Sequence, residues 1–251
     1  MNSSTTRFSD RVENYIKYRP SYPEEIISYL VKEGILKPGY VIADIGSGTG
    51  ISSEIFLKES YEVIGVEPNK EMREAAEKFL SGYKNFKSVD GTAEETTLTS
   101  DSIDLIICAQ AFHWFDVEKA RKEFKRILKQ GKYVSLIWNV RREDTDFLKD
   151  YESLLQKFGT DYKEVKHNNI TNDVIRKFFG SEMNIKVFYN VQLFDFEGLK
   201  GRLLSSSYAP NENDPKSSIM LKNLKEIFEK HQTNGKVAFE YDTAVYSSIL
   251  K

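Results

Sequence analysis

Residues 40–50, with the sequence YVIADIGSGTG, decide the fold of this 251-residue chain. Residues 40–45 are a short apolar run of the kind that forms a buried parallel strand, and Gly46, Gly48 and Gly50 follow at once. Residues 51–59 then have the spacing of a helix. A glycine-rich turn between a strand and a helix lets the backbone approach a ligand closely, because no Cβ stands in the way.

The same order of strand and helix repeats through the first half of the chain. Further strands are predicted at 61–67, 86–89, 103–109 and 132–139, and helices at 51–59, 70–80 and 117–129. A strand–helix–strand series folds with right-handed crossovers. The pattern therefore predicts an α/β fold with a Rossmann-like, mostly parallel sheet and helices on both faces.

The second half of the chain is richer in helical patterns. Helices are predicted at 144–158, 171–179, 197–206 and 216–231, and late strands at 182–196 and 236–250 complete one edge of the sheet. We expect a single domain over residues 1–251. Its predicted parts are N-terminal lid helices (1–36), a core (37–140), a helical cap with the sixth strand (141–231) and a last strand (236–250).

Composition and charge exclude several classes of protein. The formal net charge of −2 gives no electrostatic footprint for a nucleic-acid backbone, so nucleic acid is not an expected partner. Cys108 is the only cysteine, which excludes an internal disulfide and a two-thiol zinc site, and we expect no metal. Neither a signal-peptide core nor an apolar stretch of ~20 residues is present. We therefore expect a cytoplasmic protein with no membrane partner.

Two acidic residues flank the glycine turn. Asp44 precedes it and can receive an ammonium group, whereas Glu67 ends the second strand, where an acid can accept hydrogen bonds from both hydroxyls of a ribose. The spacing G-x-G-x-G differs from the G-x-G-x-x-G that holds a dinucleotide pyrophosphate. This difference disfavours a nicotinamide-dependent oxidoreductase but leaves it as an alternative. A tight strand–helix turn with a solvated Glu67 is a second alternative.

Five motifs occur in order: DIGSGTG at 44–50, VEP at 66–68, GTAE at 91–94, AQAFHWF at 109–115 and LKQG at 128–131. Together they make the chain similar to the class I S-adenosylmethionine-dependent methyltransferases. AQAFHWF and YRPSYP at 18–23 resemble a small-molecule branch, the trans-aconitate methyltransferase-like (methyltransferase type 11) proteins. The resemblance covers roughly residues 8–140. It implies a seven-stranded sheet with an antiparallel last strand, S-adenosylmethionine as cofactor, and methyl transfer to a small-molecule substrate.

The resemblance also implies roles for single residues. The glycines of the turn would line the methionine part of the cofactor, Glu67 would hold the ribose, and Gln110 would lie beside the sulfonium. Family members contact adenine at the positions of Thr92 and Ala93, often with Asp at the first of them, and Asp90 is a nearby substitute. The predicted cofactor-binding residues are Arg19, Asp44, Gly46, Ser47, Gly48, Gly50, Glu67, Pro68, Asp90, Thr92, Ala93 and Gln110.

His113 is the candidate catalytic residue, because a neutral imidazole at the carboxyl edge of the fourth strand can take a proton from a hydroxyl or amine. Alternatively it only orients the loop. Arg19 can pair with a carboxylate of the cofactor or of the substrate, or be a solvated charge. Aromatic faces stabilise a sulfonium, although core packing explains such residues equally well. The predicted wall of the substrate pocket consists of Tyr15, Tyr18, Phe112, Trp114 and Arg141.

Absent motifs narrow the acceptor. No Asn/Asp-Pro-Pro-aromatic sequence follows the fourth strand, as it does in relatives that methylate exocyclic amines of bases, and no Pro precedes Cys108 as a cysteine-nucleophile mechanism would require. A small molecule with a carboxylate or a hydroxyl remains as the predicted acceptor. A methyltransferase-like binding protein that has lost catalysis stays open as an alternative.

Overall fold

The computed structural model describes residues 17–160, 171–206, 208–210 and 214–251. Tyr15 and much of the predicted lid, residues 1–16, lie outside the described residues. The strands are β1 Val41–Ile45, β2 Glu62–Val66, β3 Phe86–Val89, β4 Ile103–Ala109, β5 Leu128–Arg141, β6 Asn184–Phe194 and β7 Val237–Ile249. The helices are α1 Glu25–Lys32, α2 Ile51–Lys58, α3 Lys70–Phe79, α4 Val117–Ile127, α5 Asp146–Phe158, α6 Asn172–Phe179, α7 Phe196–Leu204 and α8 Pro215–His231, and a 3₁₀ turn spans Phe112–Trp114.

Within the described residues, the strands form one sheet in the order β3-β2-β1-β4-β5-β7-β6. β1 to β5 pair in parallel, whereas β7 runs antiparallel to both β5 and β6. The predicted mostly parallel, seven-stranded sheet with an antiparallel last strand is therefore confirmed. The strand order reverses between β1 and β4. In open α/β sheets, ligands bind outside the carboxyl ends of the strands at such a switch point.

The largest boundary difference concerns β5. The sequence predicts a helix up to residue 129 and a strand from residue 132, but β5 begins at Leu128, directly after α4. Leu128 pairs with Ile103, and the register shifts before Tyr133 pairs with Leu105. The left-handed φ of +75° at Gly131 lies in this irregular stretch. Gly131 therefore lies inside β5, where the register of the β4–β5 pairing shifts, as glycines at β-bulges do.

Buried side chains fill both faces of the sheet. On one face, Ile26 of α1 and Phe56 of α2 belong to the core; on the other, Phe124 of α4 and Phe178 of α6 do. Every residue of β4 is buried, as expected for a parallel strand covered on both sides. The carboxyl ends of the central strands are thereby held on a rigid support.

A third cluster joins α5, α7 and α8, here called the cap helices, to the beginning of β7. Because Arg141 at the end of β5 pairs with Tyr241 of β7, this cluster lies at the carboxyl end of the parallel strands. α6 falls inside the range predicted as cap, yet it packs with α4 against the sheet. The division into core and cap remains a prediction. Across the described ranges, no helix has the length and apolar character needed to cross a membrane.

Candidate active site

The glycine turn after β1 is shaped by close backbone contacts. The φ values of Gly46, Gly48 and Gly50 are +71°, +55° and +83°. Residues with a side chain rarely adopt such values. A Cβ on Gly46 would lie 2.6 Å from the Cβ of Ala111, so the turn lies against the residues that follow β4. A Cβ on Gly48 would meet nothing within 4 Å. The turn is therefore closed on the side of Gly46 and open at Gly48.

Asp44, the last but one residue of β1, is fully buried. Its Oδ2 accepts hydrogen bonds from the hydroxyls of Ser52 (2.6 Å) and Ser53 (2.7 Å) at the start of α2. Its Oδ1 has no hydrogen-bond partner among the described residues. Burial raises the pKa of Asp44 to about 6, and the nearby Glu67 adds to this, while the serine hydroxyls oppose it. The two serines were not singled out in the sequence.

Glu67 follows β2 and points at the glycine turn. Its Oε2 accepts a hydrogen bond from the amide of Gly48 (3.0 Å), and its Oε1 accepts one from the amide of Asn69 (2.9 Å). Burial raises the pKa of Glu67, although these two amides and the charge of Arg73 oppose the shift. The structure thus brings the glycine turn and Glu67 into direct contact.

Arg73 connects Pro68 to the residues that follow β3. Arg73 donates from Nη1 to the carbonyl of Pro68 (2.9 Å) and from Nη2 to the exposed Asp90 (2.9 Å). The hydroxyl of Thr92 accepts from the amide of Glu95 (3.1 Å), and the Thr92 amide donates to the Glu95 carbonyl (3.0 Å). Asp90 and Thr92 are therefore engaged within the protein. Ala93 beside them is buried.

Gln110 comes directly after β4 and has a positive φ of +56°, a costly conformation for a residue with a side chain. Its Nε2 donates to the carbonyl of Asn139 on β5 (3.0 Å). Its Oε1 is buried and has no hydrogen-bond partner among the described residues. The strained backbone therefore holds an amide side chain at the edge of the sheet, next to the Gly46–Ala111 contact.

The aromatic turn after Gln110 divides into a core side and an exposed side. Phe112 is fully buried, with its ring centroid 4.7 Å from that of Phe178, so it is a core residue and not part of the predicted pocket wall. Trp114 is 37% exposed, and the rings of His113 and Trp114 are 4.7 Å apart. In the glycine turn, the Ser47 hydroxyl lies against Gly65 of β2, where an added Cβ would come within 2.9 Å of its oxygen.

Tyr18, Arg19 and Arg141 lie at the cap helices. A Cβ on Gly201 of α7 would lie 2.1 Å from the Tyr18 ring, and Arg19 donates from Nη2 to the carbonyl of Ser205 (2.9 Å). Arg141 forms an ion pair with the buried Glu152 of α5. Their neighbours include buried polar side chains that the sequence did not reveal: Asn139, Tyr151, Arg202 and Tyr241.

Known proteins similar to this chain are methyltransferases. A profile described as a methyltransferase domain matches residues 43–136, which contain the glycine turn, Glu67 and Gln110. An uncharacterized methyltransferase of Schizosaccharomyces pombe is 28% identical over 96% of this chain and 96% of its own length. The profile and this relative support a class I S-adenosylmethionine-dependent methyltransferase.

Solved structures agree with the fold of this methyltransferase. A candidate type II methyltransferase from Anaeromyxobacter dehalogenans superimposes with a TM-score of 0.67 at 17% identity, covering 93% of this chain and 98% of that one. The YcgJ protein of Bacillus subtilis superimposes with a TM-score of 0.56 at 22% identity, over 90% and 97% of the two chains. In sequence, YcgJ aligns at 34% identity over 57% of each chain. At such identities the superpositions establish the fold, so the acceptor has to be argued from the site.

Proposed function

We propose that this methyltransferase moves the methyl group of S-adenosylmethionine to a small-molecule acceptor that carries a carboxylate or a hydroxyl. The observation that carries the proposal is the junction of Gly48 and Glu67, where an open glycine turn meets a largely buried carboxylate at the switch point of the sheet. Asp44 lies directly beneath this junction, close enough for its charge to act on that of Glu67.

The residues at this junction fit the chemical groups of the cofactor. The ammonium group would give Asp44 Oδ1 the hydrogen-bond partner that a buried carboxylate oxygen needs. Each carboxylate oxygen of Glu67 accepts one amide hydrogen bond and keeps a lone pair for a ribose hydroxyl. Because Thr92 is engaged in its own turn, contact with adenine would rest on Ala93.

S-adenosylmethionine supplies a methyl group on a positively charged sulfur, and the acceptor oxygen takes this group as the carbon–sulfur bond breaks with its electron pair left on sulfur. The protein therefore contributes by positioning and by excluding water. Gln110, held by Asn139, and the rings of Tyr18 and Trp114 are the proposed surroundings of the sulfonium. A carboxylate acceptor needs no base, whereas a hydroxyl acceptor would give its proton to His113.

Arg19 and Arg141 favour an acceptor with negative charge. Arg19 bonds to the end of α7 and Arg141 to α5, so the two guanidinium groups lie where the cap helices meet the edge of the sheet. A guanidinium binds carboxylates through a planar pair of donors. These two guanidinium groups therefore support a small anion as the acceptor.

Calorimetry with S-adenosylhomocysteine, the demethylated cofactor, tests the proposal. Glu67→Ala should weaken binding by about 1–3 kcal/mol, because charge-assisted hydrogen bonds to the ribose are lost. Glu62→Ala is the matched control, since Glu62 begins the strand that Glu67 follows and pairs with Lys87 at the surface. Unchanged affinity in Glu67→Ala would remove Glu67 from the site. Binding of NAD in place of S-adenosylhomocysteine would overturn the proposal.

A further inference from the structure

Arg202 of α7 is a buried arginine in the middle of the cap helices. Only 5% of the Arg202 surface is exposed. Nε donates to the hydroxyl of Tyr241 (3.2 Å), Nη1 donates to the hydroxyl of Ser206 (3.0 Å), and the guanidinium lies 5.2 Å from the centroid of the Phe239 ring. A guanidinium carries five N–H donors, which is more than these two hydrogen bonds use. The guanidinium is thus held in place by neutral groups, with donors left over.

The charge of Arg202 has no counter-ion in the described part of the chain. No carboxylate lies within 4.0 Å of it there, and the buried carboxylate nearby, Glu152, accepts from Arg141 and from Gln156 instead. Charged residues are almost never buried unless they are paired, because desolvating an ion costs several kcal/mol. An unpaired buried guanidinium is therefore expected to meet an anion from outside the chain.

Tyr151 of α5 supplies a second, independent observation. The residue is fully buried, and its hydroxyl has no hydrogen-bond partner among the described residues. Burial raises the pKa of Tyr151 well above its usual value, so the hydroxyl stays protonated and is a donor. Tyr151 interacts electrostatically with both Arg202 and Arg141. A buried donor without an acceptor thus lies in the same cluster as a buried cation without an anion.

The cluster connects to the edge of the sheet where methyl transfer is proposed. The Tyr241 hydroxyl, which accepts from Arg202, donates to Oε1 of Gln192 (2.9 Å), and Gln192 donates to the carbonyl of Tyr18 (3.4 Å). On β5, Arg141 pairs with Tyr241 and stands two residues after Asn139, which accepts from Gln110. A molecule bound at Arg202 would therefore extend toward Gln110.

We propose that Arg202 and Tyr151 bind an oxyanion of the methyl acceptor, so that this methyltransferase selects small molecules with a carboxylate or a phosphate group. The proposal rests on the proposed function, since it names the anchor of the acceptor at that site. The guanidinium presents its free donors to the anion, and the Tyr151 hydroxyl donates a further hydrogen bond. Neutral analogues of the same shape would leave the buried charge unpaired, and the site would reject them.

Thermal unfolding in the presence of saturating S-adenosylhomocysteine tests the proposal with three probes: succinate, inorganic phosphate and the neutral succinamide. Succinate or phosphate should raise the Tm of the wild type by about 5–10 °C at roughly 100 times its Kd, and succinamide should not. The probe that acts distinguishes a carboxylate from a phosphate. Equal shifts with succinate and succinamide, or none with any probe, would overturn the proposal.

Two variants localise the effect. Arg202→Met should abolish the anion-dependent shift, and Tyr151→Phe, which removes one buried oxygen and keeps the ring, should weaken the apparent affinity about 5- to 50-fold. Arg176→Met, an exposed arginine on α6 that pairs with Asp173, should leave the shift unchanged. If Arg202→Met does not fold, Tyr151→Phe alone decides, and an unchanged shift there contradicts the proposal.

Calorimetry with S-adenosylhomocysteine on the same variants separates this inference from the proposed function. Cofactor affinity should stay within twofold of the wild type in both Arg202→Met and Tyr151→Phe. A parallel loss of cofactor affinity would show that the cluster serves the cofactor. A wild type that binds the anions but not S-adenosylhomocysteine would instead refute the proposed function.

Discussion

The glycine-turn region and the cap cluster around Arg202 lie at the same edge of one sheet but are built differently. The first uses backbone: the amides of Gly48 and Asn69 bond to Glu67, and residues 44–69 supply the contacts. The second uses the side chains of Gln192, Arg202 and Tyr241, and Gln192 donates to the carbonyl of Tyr18. A cofactor shared by many enzymes can be held by a local backbone geometry. In our proposal, an acceptor particular to this enzyme is held by side chains gathered from distant parts of the chain.

The largest expected effect tests whether the cap depends on paired side chains. Glu152→Gln should lower the free energy of unfolding by about 3 kcal/mol, because it removes the buried partner of Arg141. Urea unfolding measures the difference. Asp173→Asn, which breaks the exposed pair with Arg176, should cost less than about 0.5 kcal/mol. Similar losses in the two variants would contradict the importance assigned to the cap pair.

The next effect tests the backbone side of the comparison. Gly46→Ala should cost about 3 kcal/mol and weaken S-adenosylhomocysteine binding, since its Cβ would lie 2.6 Å from Ala111 at a φ of +71°. Gly39→Ala is the matched control: its φ is +79°, but its Cβ would meet nothing within 4 Å. It should cost about 1–2 kcal/mol and leave cofactor affinity unchanged. Equal behaviour would mean that φ, and not the close approach, makes glycine necessary.

His113 lies in the turn after β4, and its variant separates two kinds of acceptor. His113→Ala should lower turnover of a hydroxyl acceptor about 100-fold, because a general base is lost. It should change turnover of a carboxylate acceptor less than twofold, because a carboxylate carries no proton at neutral pH. Steady-state kinetics with both kinds of acceptor gives the answer. A loss of S-adenosylhomocysteine affinity as large as the loss of turnover would make His113 a structural residue.

The smallest effect concerns pH. With a pKa of about 6, Asp44 is ionised at pH 7 and mostly protonated at pH 5, so the Kd for S-adenosylhomocysteine should rise up to about 10-fold on acidification. The folded-state pKa lies above the usual value of 3.8, so this group favours the folded state below pH ~4, and that contribution is lost as pH rises to ~6. Calorimetry across this range measures the first effect. Asp44→Asn should flatten the profile, apart from the smaller contribution of Glu67.

Local patterns predicted one region and not the other, for a physical reason. The strand order and the Gly48–Glu67 contact follow from short-range spacing, because parallel strands bring their carboxyl ends to one edge. Phe112 was predicted in the pocket wall but packs on Phe178, because composition does not reveal which way a turn residue points. Arg202 lies three residues after Leu199 and directly before Leu203, and all three are buried on α7. That spacing was the one local sign of the cluster.

The pair of amides on Glu67 has a consequence for ligand capture. Because Gly48 and Asn69 fix both carboxylate oxygens, the side chain is confined to one rotamer by the protein itself. Immobilising a flexible side chain on association costs roughly 0.5–1.5 kcal/mol, and here folding has already met that cost. The remaining lone pairs therefore point in directions that the protein sets by itself. If Glu67 binds the ribose as proposed, a sugar with misplaced hydroxyls should be discriminated by geometry alone.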